Sequence, residues 1–419
     1  MIHELTRLNE RVRRPTAPHL GMGACIVRIV MTNNFFLPRP SGSAHHTAGL
    51  ARRLAEIGHD VLVVTAAHRG APREEWRDGY RVVRLPSWTP PPFRIGMNYE
   101  IPWTISPRNM RELFRLLDEF RPDVVHQGGQ FFDLTFMSAI WARRRKVPTV
   151  LTVYTALVHS DRIARKILWL GDMLLVRPFI SIGRPTLVVI DTPIDSYVRR
   201  RYRVGDDRVA TVMIGVEPDR FVGVDRRKVR DQLELGDRPI VLSLGHVIPL
   251  IRDRLALVRA MPRLIEKHPD LVVLVVGHIF DEAFLHLADE LGVRDHLVCT
   301  GEVERDEVPA YVAASDVEAH DFHYFGLGTT TLEVMAAGVP VVSVVAVDNY
   351  PGLELRSGEN ITIVPEDAPV ALANAIHELL EDRELATRVG KGQRQFVMDH
   401  FSMQAVSRDY LALYEKVAN

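Results

Sequence analysis

Short runs of aliphatic and β-branched residues recur along this chain, each closed by glycine or small polar residues and followed by a stretch with helical spacing. "ACIVRIVMTNNFFLP" is an apolar run of strand length that ends in Asn and Pro. After "RPSGSAHHTAG" comes a segment with Leu50, Leu54 and Ile57 on one helical face, stopped by Gly58. "DVLVVTA" then reads as a second buried strand. Strand, glycine-containing turn, helix and strand make a βαβ unit, and a right-handed crossover begins a parallel sheet. "DVVHQGG", "PTVLTVY" and "TLVVID" continue the series. The pattern restarts with "PIVLSLG", a helix over residues 255–268, "LVVLVVG", "HLVCTG" and "VPVVSVV". A chain of 419 residues is too long for one ordinary core. The two series therefore predict two doubly wound, Rossmann-like α/β domains joined near residues 215–237, with the C-terminal ends of both sheets facing a central cleft that holds a ligand.

The net charge of -1 hides a division between the halves. Residues 1–215 carry 32 Lys+Arg against 19 Asp+Glu, a net +13, and the remainder carries 20 against 34, a net -14. A basic first half suits an anionic partner such as a phosphorylated lipid or a membrane surface. Nucleic acid ranks below these, because "RRRK" (residues 143–146) and "RRRYR" (residues 199–203) lack the interleaved aromatic residues that single strands stack on. Cys25 and Cys299 lie far apart in sequence, which argues against a disulfide framework and for a reducing compartment. No run is apolar enough to span a bilayer, and the first residues do not read as a secretory signal. "KILWLGDMLLVRPFISIG" (residues 166–183) is strongly apolar but broken by Asp172 and Arg177. It reads as a core helix in preference to one resting on a bilayer interface.

"GLGTTTLEVMAAG" (residues 326–338) begins with two glycines and three threonines just before Leu332, Met335 and Ala336 at helical spacing. Glycine lets a backbone approach a ligand closely, and a helix start offers N–H groups and a positive dipole end, so a diphosphate is the natural guest. Glu333 lies in the first turns, where a carboxylate accepts hydrogen bonds from ribose hydroxyls; a capped helix with a dipole-favoured surface Glu is the plainer alternative. "EAHDFH" sets Glu318, His320, Asp321 and His323 at a strand end beside this loop. His45, His46 and His126 stand at ligand-facing positions of the other domain, and a buried, hydrogen-bonded core histidine explains His126 equally well.

"FGLGTTTLEVMAAGVPVV" resembles the signature of family 4 retaining glycosyltransferases of the GT-B fold, in which a Glu, Gly-x-Gly and a second Glu eight positions after the first precede "AMA-x-G-x-PVV". The "SGS" turn, "LARRLAEIGHDVLVVT", "IGVEPDRF", "LSLGHVIPLIRDR" and "GENITIVPED" extend the likeness over nearly the whole chain. The resemblance implies transfer of a sugar from a nucleotide diphosphate sugar to a hydroxyl of a lipid or glycan acceptor, with retained anomeric configuration. It is also compatible with a binding protein without transfer activity, or a nucleotide-sugar epimerase. Gly42 and Ser43, Gly326, Gly328, Thr329, Thr330 and Glu333 match donor-binding positions, and Arg252 and Arg254 are cations for the departing diphosphate. No metal and no cofactor is implied.

Several positions depart from the family pattern. Aligned on Glu333, the first Glu falls at Phe325. Aligned on Gly245, a phosphate-binding Arg falls at His246 and a Lys near Ile251 or Arg252. The His that faces the donor sugar falls at Tyr154. Nucleotide recognition thus reads as ordinary and the sugar pocket as altered, with Asp321, His323 and Tyr154 the candidates for contact with the reacting sugar. The expected organisation is an arm over residues 1–22, a basic acceptor domain over 23–215, an acidic donor domain over 216–395, and a C-terminal helix over 396–419 packed back on the first domain. The expected location is the cytoplasm, with attachment to the inner membrane face as a further step.

Overall fold

The computed structural model describes residues 26–39, 41–89, 101–156, 162–249, 252–319, 322–323 and 326–418. The chain divides into two compact units. Unit 1 comprises residues up to 190, 194–215 and 406–419, and unit 2 comprises residues 191–193 and 216–405.

Among the described residues, unit 1 holds strands β1 (Arg28–Asn33), β2 (Asp60–Ala66), β3 (Glu74–Arg77), β4 (Tyr80–Leu85), β5 (Val124–Gly128), β6 (Thr149–Val153), β7 (Thr186–Val189) and β8 (Val209–Thr211). They form one sheet in the order β3-β4-β2-β1-β5-β6-β7-β8, parallel except for the β3–β4 hairpin. The runs "DVVHQGG" and "PTVLTVY" read above as strands lie in its middle, and β5 and β6 are buried along their whole length. That burial on both faces is why they carry few alternating polar residues. The hairpin has no counterpart in the sequence reading. Its turn is Asp78-Gly79, with φ of 45° and 86°, the left-handed pair that lets a two-residue turn follow the twist of its strands.

Unit 2 holds β9 (Ile240–Leu244), β10 (Val272–Val276), β11 (Leu297–Gly301), β12 (Val317–Ala319), β13 (Val341–Ser343) and β14 (Thr362–Ile363), in the order β11-β10-β9-β12-β13-β14, all parallel. The helices Leu255–Lys267 and Pro369–Glu381 pack on this sheet, through Leu257, Met261, Leu264, Leu372 and Ile376, in one buried cluster with Val273 and Val317. In unit 2 the strand order reverses at β9, which pairs with β10 on one side and β12 on the other. The loops leaving the C-terminal ends of β9 and β12 therefore diverge and open a crevice, the position where doubly wound sheets bind ligands. In unit 1 the same reversal occurs at β1, between β2 and β5.

Residues 166–183 depart from the core-helix expectation. They continue a helix that begins at Arg162, pass through a π-helical turn at Asp172–Val176 and end at Gly183. Among the described residues Ala164, Asp172, Val176 and Ile180 are buried, while Ile163, Ile167, Trp169, Leu170, Leu174 and Leu175 are exposed. Apolar composition predicted burial; the spacing of the inward residues shows a helix that uses a narrow stripe for packing and turns the rest outward. The N-terminal arm and Cys25 lie outside the described residues.

Candidate active site

In unit 2, three glycines end three adjacent strands. Gly245 (φ 124°), Gly277 (φ 141°) and Gly301 (φ 72°) follow or close β9, β10 and β11. A Cβ on Gly277 would lie 2.5 Å from the Gly245 carbonyl oxygen, so the backbones can approach here only without side chains. The Gly277 N–H donates to Gly301 O at 2.9 Å, and Gly245 N donates to Val276 O at 2.8 Å. This row forms a tight floor at the C-terminal edge of the sheet.

His246 follows directly. Its Nδ1 accepts from the His278 backbone N–H at 3.1 Å, and its ring meets Phe280 edge-on with centroids 5.8 Å apart. Burial lowers its pKa, and the charges of His278, Arg252 and Arg254 press in the same direction while Glu302 opposes them. With Nδ1 as acceptor, Nε2 carries the proton. His246 therefore presents a neutral donor where the family pattern has a fixed cation.

The loop from His246 to the helix Leu255–Lys267 is held from within. Arg254 is almost fully buried, and its two terminal nitrogens donate to Gly245 O at 2.8 Å and Arg252 O at 3.1 Å. Its φ of 65° adds a left-handed residue just before the helix. The guanidinium expected to meet a diphosphate is thus committed to shaping the loop that carries Arg252. The backbones of Arg252 and Ile248 exchange hydrogen bonds at 2.9 and 3.1 Å.

On the other side of the reversal, β12 leads through residues 320–328 to the helix Thr329–Ala337. Glu318 is buried within β12, and Phe322 joins the core. Asp321 and Phe325 lie outside the described residues, as does His320. Gly326 takes a φ of 86°, and a side chain there would press on the Asn349 amide, 3.2 Å from its oxygen. The helix begins at Gly328 with no side chain capping it, and Thr329 and Thr330 form its half-buried first turn. It ends at Gly338 (φ 82°), beneath Gly390 of the helix Arg383–His400, where a side chain on Gly390 would strike the Gly338 carbonyl. The structure therefore brings Gly326, Gly328, Thr329, Thr330 and Glu333 together at one helix start beside the β9 loop.

Glu333 is 3 % exposed and accepts from Arg305 Nη2 at 2.9 Å, with Arg220 Nη1 at 3.9 Å. Burial raises its pKa; the two guanidinium groups oppose that shift and favour the carboxylate. Neither arginine was visible as a partner in the sequence, because 28 residues separate Arg305 from Glu333. His323 is also placed by carboxylates: its Nδ1 lies 2.8 Å from Glu366 Oε1 and its Nε2 lies 3.7 Å from Asp253 Oδ2. Asn349 is the polar group that sequence reading missed. It is 3 % exposed, touches the Gly326 turn, and its Nδ2 has no hydrogen-bond partner.

The candidates of unit 1 fall into two sets. Gly42 and Ser43 open the helix Gly42–Glu56, with Ser41 as its N-cap accepting from Ala44 N at 3.0 Å. Tyr154 is half-buried just past β6, its ring edge-on to His46 at 5.7 Å, and burial of its hydroxyl drives the pKa far up. Its phenol therefore stays protonated where the family pattern has a histidine. His126 and His46 are core residues. Nε2 of His126 bonds Thr152 Oγ1 at 2.8 Å, Nδ1 bonds the Tyr414 hydroxyl at 2.6 Å, and Thr152 bonds Tyr410 at 2.9 Å. His46 Nδ1 accepts from Gly215 N at 3.1 Å. Burial brings the pKa of His46 down to about 4 and that of His126 down to about 3. Both are neutral at ordinary pH, and their contacts account for them as packing groups.

Comparison with known proteins agrees with this geometry. Residues 41–215 match the family model "Glycosyl transferase 4-like domain" and residues 225–396 match "Glycosyl transferases group 1". A GDP-mannose-dependent alpha-(1-6)-phosphatidylinositol monomannoside mannosyltransferase of Mycobacterium tuberculosis is 30% identical over 392 residues, covering 88% of this chain and 93% of that protein. Among solved structures, a glycosyltransferase from Rickettsia africae superposes with a TM-score of 0.70 at 16% identity, covering 94% of this chain and 98% of that one. Anabaena HepE in complex with UDP and glucose superposes with a TM-score of 0.68 at 15% identity, covering 93% and 99%.

Proposed function

The chain belongs to the group 1, family 4-like retaining glycosyltransferases of the GT-B fold, and from that premise we propose that it transfers mannose from GDP-mannose to a hydroxyl of an inositol-containing glycolipid at the inner face of a membrane. The observation that carries the donor and acceptor is the likeness to the mannosyltransferase of Mycobacterium tuberculosis, which runs through nearly the full length of both chains. Among the described residues no helix is long and apolar enough to cross a membrane.

On this reading the bond from the mannose anomeric carbon to the phosphate oxygen breaks while the acceptor oxygen bonds to that carbon on the same face. The acceptor proton passes to the departing phosphate. Charge therefore gathers on the diphosphate, and groups fixed in advance to meet it lower the barrier. The start of the helix Thr329–Ala337 supplies backbone N–H groups and the positive end of its dipole. Arg252 adds a cation, and His246 a neutral donor. Glu333, which burial pushes toward the protonated form and Arg305 and Arg220 draw back toward the carboxylate, takes the ribose hydroxyls. His323, held between Glu366 and Asp253, is the described candidate for contact with the sugar.

The test is transfer of radiolabel from GDP-mannose, UDP-glucose and ADP-glucose to phosphatidylinositol monomannoside in vesicles, with the product's linkage read by α-mannosidase digestion. The expected product is mannosylated lipid that the α-specific enzyme cleaves. Transfer from UDP-glucose without transfer from GDP-mannose would refute the donor, and a product resistant to α-mannosidase would refute retention.

A further inference from the structure

The segment of residues 162–183 forms one helical rod about 30 Å long at the usual rise per residue. Its inward stripe is short. Val176 and Ile180 join the cluster around Leu151, Leu187 and Val198, and Phe179 stacks edge-on against Phe136 at 4.6 Å. The outer surface carries Ile163, Ile167, Trp169, Leu170, Leu174 and Leu175 at 47 to 70 % exposure. Ile163, Ile167 and Leu170 recur at i, i+4 and i+7, so they share one face, and Leu174 lies a turn further on. A solvated helix face does not gather six large apolar side chains.

The charges of the rod are also sorted. Arg162, Arg165, Lys166, Arg177 and, just past its end, Arg184 are cations on or beside this surface. The single acid is Asp172, which is fully buried. It accepts from Tyr197 at 2.8 Å and Tyr202 at 2.9 Å, and meets Arg201 Nε at 2.9 Å. Within residues 162–183 the outward surface is therefore apolar and cationic, with four positive residues and no acid exposed, while Asp161 and Arg184 flank its two ends in the sequence.

The geometry points to this rod as the surface by which the enzyme lies on an anionic lipid bilayer, its apolar face among the acyl chains and its cations at the headgroups. The inference deepens the glycolipid-acceptor reading and rests on it: an enzyme whose acceptor is anchored in a bilayer gains by residing there. Charge decides between a bilayer and a second copy of this chain. Two such rods packed face to face would bring cations against cations, whereas an anionic leaflet complements them.

The test is flotation of the full chain with phosphatidylcholine vesicles, with and without phosphatidylglycerol, together with quenching of tryptophan emission by bromine-labelled lipids. Binding is expected to require phosphatidylglycerol and to weaken as salt rises. Quenching is expected to disappear in Trp169→Phe. The triple variant Ile167→Ser, Trp169→Ser, Leu170→Ser should bind roughly tenfold more weakly or worse, and Arg165→Gln with Lys166→Gln should lose roughly tenfold or more. Leu291→Ser, an exposed leucine of unit 2, should change nothing. Circular dichroism showing native helix content separates lost docking from misfolding.

Absence of wild-type binding at low salt overturns the inference. So does binding without quenching at Trp169, and so does a dimer in light scattering that the triple variant abolishes while vesicle binding persists. Mannose transfer to a detergent-dispersed acceptor reads the function separately. If docking fails while transfer continues, only the docking surface is wrong; if docking holds and no sugar moves, the functional reading is wrong.

Discussion

Acidification should unfold unit 1 through two buried histidines. In the unfolded chain His46 and His126 titrate near 6.5, whereas burial lowers their folded values to about 4 and about 3. Between those limits the unfolded state binds more protons than the folded one, so stability rises with pH and is lost as pH falls below 6.5. Each histidine contributes a slope approaching ~1.4 kcal/mol per pH unit once its unfolded form is charged. Integrated from neutral pH to pH 5, this comes to about 2 kcal/mol per histidine and about 4 kcal/mol for the pair, a large part of the ~5–15 kcal/mol typical of a domain. Asp172 in the same unit has a raised pKa and works in the opposite sense, so the clean readout is the difference between wild type and His126→Phe. All five tryptophans (Trp76, Trp88, Trp103, Trp141 and Trp169) belong to unit 1, and their emission follows its unfolding in urea selectively. The variant is expected to start less stable by about 1–3 kcal/mol, because the Tyr414 and Thr152 hydroxyls lose their partner. Its loss of stability from pH 7 to pH 5 should then be smaller than that of wild type by about 2 kcal/mol. Equal pH slopes in the two proteins would show that His126 titrates normally and that the reasoning from burial fails.

Four further outcomes follow from unit 2. Gly390→Ala should cost more than ~2 kcal/mol in urea unfolding, since its side chain would strike the Gly338 carbonyl at the helix crossing; a neutral effect would mean that the crossing is loose. Arg254→Ala removes two hydrogen bonds to Gly245 and Arg252 and should destabilise by about 2–4 kcal/mol while raising the dissociation constant for GDP; calorimetry showing unchanged stability would count against its role in the loop. Glu333→Ala should weaken GDP binding about tenfold or more, and unaltered affinity would remove the ribose assignment. Transfer is expected to continue at full rate in excess chelator, whereas loss of rate with recovery on adding a divalent cation would show that protein groups alone do not neutralise the diphosphate.

The fold was legible because its central strands are β-branched and buried on both faces, as in "DVLVVTA" and "LVVLVVG". The hairpin was not, because "EEWR" is a charged edge strand whose burial merely alternates. Its one clear signal, Asp78-Gly79, stood in a stretch without apolar runs. The helix start at Gly328 was legible from its glycines and from Glu333. The partners of that site were not: Arg220 and Arg305 reach Glu333 from distant segments, and Asn349 reaches the Gly326 turn by tertiary packing. Nor does composition reveal that Arg254 turns inward or that Ile167, Trp169 and Leu170 turn outward. Direction is a property of the register of a helix on its sheet, which residue type alone does not determine.

The helix Met403–Ala418 has a consequence for biogenesis. Its last part belongs to unit 1, where Tyr410 and Tyr414 close the hydrogen bonds of Thr152 and His126. Unit 1 is thus written in the gene as two pieces with nearly all of unit 2 between them. A ribosome releases every residue of unit 2 before it delivers the tyrosines that complete the older half. During synthesis the first half waits with its histidine core open, while the second has all of its own sequence at hand and can fold first. Limited proteolysis of stalled nascent chains is expected to find protected unit 2 ahead of protected unit 1, and a chain cut at Gly215 is expected to stay unfinished until the peptide of residues 406–419 is supplied in trans.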